Sequence, residues 1–113
     1  MLRDAKKHLW DIQESCLRLD RFTAGKTLED YQQDELLRAG VERQFEIIGE
    51  ALNQSLRIAP EMEASVTEAR GIVGFRNRLI HGYSEILDEA VWAFLVDQMP
   101  RLRREVEALL SED

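Results

Sequence analysis

Residues 37–60, LRAGVERQFEIIGEALNQSLRIAP, decide the fold. Apolar side chains recur there at Leu37, Val41, Phe45, Ile48, Leu52, Leu56 and Ala59, in steps of three and four that gather them on one side of a helix. Leu36, Ile47 and Ala51 widen that side into a broad stripe. Pro60 ends it, because a proline steers the residue before it out of helical geometry. The same spacing runs through Leu2, Ala5, Leu9, Ile12, Cys16, Leu19 and Phe22 on the N-terminal side. On the C-terminal side it runs through Val91, Phe94, Leu95, Leu102, Val106 and Leu109.

The boundaries between these patterns carry their own signals. Gly25 reads as the stop of the first helix, and Thr27 with Asp30 three residues on reads as a restart cap. Asp88 is the expected cap of the last helix, with Glu89 beside the positive end of its dipole. Pro100 inside that helix should kink it, since it removes one backbone bond and crowds the preceding turn. Between Met62 and Tyr83 a shorter helical segment is expected, interrupted or bent near Gly71 and Gly74 and terminated at Gly82. No stretch alternates with period two for long enough to predict a strand. The expected fold is therefore all-α: one domain over residues 1–113, an up-and-down antiparallel bundle of three long helices and one short one. Trp10, Trp92 and Tyr31 lie off the cleanest seams. They either close the core or meet a second copy, and a two-fold dimer is expected.

A chain of 113 residues is one domain's worth, and its 44% hydrophobic content is ordinary for a globular protein. Fifteen basic against 22 acidic side chains give a net charge of −7, which argues against a protein that coats nucleic acid by bulk electrostatics. A small local site is compatible with it. Cys16 is the single cysteine, so an internal disulfide and a thiolate zinc cluster are excluded, and its place in the apolar seam predicts an inert core thiol. No apolar run approaches a membrane span and the N-terminus lacks the apolar core of an export signal, so a cytoplasmic protein is expected, without a resident metal or cofactor.

Groups that could do chemistry are few. His8, among Lys6, Lys7 and Trp10, reads as a solvated surface histidine. Glu46 and Glu50 sit four apart within an apolar stretch, and Glu46 could be a semi-buried partner for an arginine. One segment stands apart: residues 70–83, RGIVGFRNRLIHGY, hold three arginines and a histidine but no acid, in a chain otherwise rich in acid. On a helix Asn77 and His81 share a face, whereas Arg76 and His81 diverge by about 140° at ~100° per residue. The reach of the long arginine could close that gap. So could a two-fold axis that brings two copies of the segment together. Histidine can give and take protons near neutrality, and arginine presents a planar fork to phosphate oxygens. The set suits cleavage of RNA by its own 2′-hydroxyl, with histidine as general acid or base and arginine neutralising the transition state. It equally suits a helix end with solvated arginines, His81 capping the dipole.

The extended run Gly-Phe-Arg-Asn-Arg-Leu-Ile-His-Gly-Tyr, residues 74–83, resembles the signature of the HepT-like toxins, a branch of the HEPN superfamily. Asp34-Glu35-Leu36-Leu37, Phe45-Glu46-Ile47-Ile48-Gly49-Glu50-Ala51, Val91-Trp92 and Met99-Pro100 are similar to that family too, though the Pro-Trp pair that often precedes the motif is missing. The resemblance implies a helical bundle forming a two-fold dimer with both motifs in one cleft, and a ribonuclease toxin of a toxin–antitoxin pair. It implies Arg76 and His81 as the catalytic pair, supported by Asn77 and Arg78. It further implies RNA as substrate and an MntA-type minimal nucleotidyltransferase as partner, which neutralises the toxin by adding AMP to Tyr83. A different reading of the same bundle is a non-catalytic subunit that docks on the nucleotidyltransferase and helps form its substrate site.

Overall fold

The computed structural model describes residues 3–80 and 88–112. Every element among them is helical, as the periodicity predicts. Helix α1 spans Arg3–Thr23, α2 Leu28–Gln33, α3 Glu35–Ile58 and α4 Ala69–Ile80. A 3-10 turn, Pro60–Ser65, joins α3 to α4. The C-terminal rod is α5, Asp88–Ala93, a wide π turn over Phe94–Gln98, and α6, Met99–Leu110.

The ends of the elements follow from local chemistry. Gly25 adopts a positive φ of 73° just past α1, the left-handed geometry that glycine takes without steric cost. Thr27 and Asp30 form a reciprocal capping box at α2. The Asp30 N–H donates to Thr27 Oγ1 at 3.1 Å and the Thr27 N–H donates to Asp30 Oδ2 at 2.9 Å. The Thr27 N–H, and then the Thr27 side chain, hold the Asp30 carboxyl below the usual carboxylate range. Asp34 caps α3 in turn, accepting from the Leu37 N–H at 3.0 Å, so α2 is a separate short helix that the apolar spacing alone did not resolve.

One expectation, an interruption at Gly71 and Gly74, is corrected. Helix α4 runs unbroken through Gly71 and Gly74, because its stripe of Ala69, Ile72 and Leu79 is buried and packing outweighs two glycines. The break lies earlier, where Glu68 takes a φ of 56° between the 3-10 turn and α4. Pro100 lies where the rod changes its winding. It sits in the first turn of α6, and the chain widens just before it, with the Met99 N–H donating to the Phe94 carbonyl five residues back.

Helix α1 packs on α3 and α6, α4 packs on α3, and α2 packs on α5. Leu9, Ile12, Cys16 and Leu19 meet Val41, Ile48, Leu52, Leu102 and Val106 in a core closed to solvent. An aromatic cluster ties α4 to its neighbours. Phe75 stacks on Phe94 at 4.8 Å, and both meet Phe45 edge-on. Tyr31 is fully buried 5.5 Å from Trp92, so these two close the core, while Trp10 stays 59% exposed.

Candidate functional site

Arg76 belongs to the buried side of α4 rather than its solvent side. Four residues after Ile72 and three before Leu79, it continues the stripe that faces α3. The crossing is possible only because α3 carries Gly49 at the contact. A methyl group added to Gly49 would overlap the Cβ and Cγ of Arg76. The aliphatic stem of the arginine is thus part of the helix interface, and 24% of its side chain remains exposed.

The guanidinium is held from two directions. Arg76 Nη2 pairs with Glu50 Oε2 at 2.7 Å, and Arg76 Nη1 donates to Asn77 Oδ1 at 2.8 Å. Glu50 is itself fixed, since Gln54 Nε2 donates to its other oxygen at 2.9 Å. The chain Gln54–Glu50–Arg76–Asn77 therefore fixes one charged fork by three short bonds. Each terminal nitrogen keeps a second N–H that this chain does not use, so one edge of the fork can still take a phosphate. Arg76 Nε is buried and has no partner among the described residues.

The arginine opens onto a groove of about 490 Å³ between α1, α3 and α4. His8 and Asp11 of α1 form one wall, and Arg43, Glu46, Glu50 and Gln54 of α3 form the other. His8, read from the sequence as a solvated surface residue, is in fact partly buried and faces this groove. Glu46 is partly buried and does pair with an arginine, as the sequence allowed, but that arginine is not Arg76. Glu50 takes Arg76, whereas Glu46 meets only Arg43, at 3.4 Å within its own helix. Arg43, Glu46, Glu50 and Gln54 form a polar stripe stepping by three and four through an apolar helix, a signal the sequence did contain.

Asn77 and Arg76 are brought together, but Arg78 is not. Two residues on, it projects about 200° around α4 and lines a different groove. His81 and Tyr83 lie outside the described residues. Among the described residues no group of three or more His, Cys, Asp or Glu could hold a metal ion. No helix among the described residues is long and apolar enough to cross a membrane.

A packed, anchored arginine next to an asparagine within the motif is where comparison with known proteins decides the family. The model of the family described as "Ribonuclease HepT-like" matches residues 12–109. The chain belongs to the ribonuclease HepT-like family. A Methanocaldococcus jannaschii protein named "Putative RNase MJ1380" is 34% identical over 93% of this chain and 95% of its own. A Thermococcus cleftensis protein named "Probable ribonuclease HepT" is 31% identical over 96% and 98%. "Putative RNase TTE0752" of Caldanaerobacter subterraneus subsp. tengcongensis is 27% identical over 99% of both chains. No solved structure gives a significant match. Membership places the chain among the RNA-cleaving enzymes, as the motif predicts.

Proposed function

We propose that this HepT-like chain is the toxin of a toxin–antitoxin pair, an endoribonuclease that cuts RNA without a metal. Its bundle is up-and-down and works as a two-fold dimer, with a copy of residues 76–83 from each protomer lining one cleft. The observation that carries the reading is the anchored fork of Arg76, fixed by Glu50 and Asn77 and lining a groove. A preset cation costs nothing to reorganise when charge builds on phosphorus, and that is where electrostatic catalysis gains most.

In this mechanism Arg76 binds a non-bridging oxygen of the scissile phosphate. His81 takes the proton from the 2′-hydroxyl, whose oxygen forms a bond to phosphorus as the bond to the 5′-oxygen breaks. A protonated histidine returns a proton to that leaving oxygen, giving a 2′,3′-cyclic phosphate and a 5′-hydroxyl. Two proton transfers suit two copies of His81, one from each protomer. Asn77 supports Arg76 directly, and Arg78, on the other flank of α4, supports the site only by holding the RNA strand. The antitoxin is a MntA-type nucleotidyltransferase that moves AMP from ATP onto the Tyr83 hydroxyl with loss of pyrophosphate. The added phosphodiester then competes for Arg76 and blocks RNA sterically.

The net charge of −7 and the carboxylates of Asp11, Glu46 and Glu50 around the groove favour one alternative, a non-catalytic docking subunit of the nucleotidyltransferase. An RNA-cleavage assay of the wild type beside His81→Ala separates the two. Cleavage that survives a chelator, leaves a cyclic phosphate and disappears in the folded variant is expected. Undiminished cutting by His81→Ala, or none by the wild type, would remove the nuclease mechanism. Incubation with the nucleotidyltransferase and ATP should add mass in steps of one AMP, on Tyr83.

A further inference from the structure

A second cavity, about 660 Å³, is distinct from the Arg76 groove. It lies on the other flank of α4, between that helix, the end of the 3-10 turn and the π turn. Its floor is unusual for a helix surface: Gly71 and Gly74 sit one turn apart, and a methyl group added to Gly74 would meet nothing within 4 Å. Phe75 rises beside that floor, partly buried, with its ring backed by Phe94 in a stacked pair.

The charges around it are unevenly satisfied. Glu63 is held by Arg70 at 2.9 Å and Glu68 by Arg101 at 3.1 Å. Arg78 lines the same cavity and makes no ion pair or hydrogen bond among the described residues. The cavity thus combines a guanidinium with no partner among the described residues, an aromatic ring and a bare backbone floor. A flat, polarisable ring with an anion attached matches that combination. Base stacking on an aromatic side chain plus an arginine on the phosphate is how proteins hold unstacked single strands. The paired carboxylates keep outer oxygens that can accept from a base amino group or a 2′-hydroxyl, groups that inorganic phosphate lacks.

We infer that this cavity seats one unstacked nucleotide of single-stranded RNA, a subsite flanking the cut. The phosphate lies on Arg78, and the base lies over Gly71 and Gly74 against Phe75. The inference rests on the ribonuclease reading. Its volume falls within the ~300–1,000 Å³ of ordinary ligand pockets. Arg76 and Arg78 sit on opposite flanks of α4, only about 3 Å apart along its axis at ~1.5 Å per residue. A strand crossing the helix can therefore touch both.

The test uses the full chain and a short 2′-O-methyl RNA, which binds but cannot be cut. Gly74→Leu places a side chain on the floor, its Cβ in open space, and Arg78→Gln removes the charge. Each is expected to weaken binding about tenfold, the scale of one lost stacking or phosphate contact. Arg78→Gln should also reduce the salt dependence by about one counterion. Gly74→Leu should melt no lower than the wild type, so its loss of affinity would not be a loss of fold. If both variants bind like a wild type that cleaves RNA, the subsite is wrong and the nuclease reading stands. If Gly74→Leu instead changes the sedimenting species, the cavity is an interface between copies and the subsite is wrong. A wild type that neither binds nor cuts RNA overturns both readings together.

Discussion

Gly49 and Arg76 decide the site between them. A helix interior ordinarily loses about 1 kcal/mol by having glycine instead of alanine, so Gly49→Ala would gain in propensity. The overlap with the arginine stem reverses the sign, because packed helices must part to admit the methyl and overpacking costs about 1–3 kcal/mol. Gly49→Ala should therefore lower the melting temperature and, by moving the fork, reduce RNA cleavage by about tenfold or more. Calorimetry beside a cleavage assay checks both, and an unchanged melt would show that the close approach is not as tight as described. Arg76, Asn77 and Arg78 were legible as a motif. Which arginine each of Glu46 and Glu50 would meet was not. The two share a face of α3, and only the place where α4 crosses that helix chooses between them.

The elements show the same division between local and distant causes. Residues 27–30 specify their capping box by themselves, and the long seams of α1, α3 and the C-terminal rod are read from spacing alone. The π turn and the unbroken course of α4 depend on neighbours far along the chain, which a local pattern does not contain. One contact between elements works against the fold. Glu42 of α3 has its carboxyl raised above the usual range, first by burial and then by the charges of Asp88 and Glu46. A raised folded value means the ionised form is tolerated at a cost at neutral pH, and the cost disappears as pH falls through the carboxylate range and the group takes up its proton. Glu42→Gln should accordingly raise the denaturation midpoint at pH 7 and lose that advantage near pH 4. An equal gain at both values would point to packing instead of charge.

Over the whole molecule the core is a thiol-bearing hydrocarbon interior. Burial pushes the Cys16 thiol up to about 12 from an ordinary value of 9.0, with the charge of Asp20 adding to the effect. The Tyr31 hydroxyl is raised for the same main reason. Both groups lose protons more readily in the unfolded chain, so stability present below pH 9 drains away as pH rises towards 12. The urea midpoint should hold steady from pH 6 to 8 and then fall, less steeply in Cys16→Ala; a midpoint flat to pH 11 would contradict the burial.

The stem of Arg76 is mortar as well as machinery. Cutting it back to alanine would open a gap between two helices and leave the Glu50 carboxylate facing an empty place. Silence from such a variant would report a loosened wall as readily as a missing positive charge. Methionine keeps most of the hydrocarbon length and discards only the cation, so it isolates what the guanidinium itself contributes to cutting RNA.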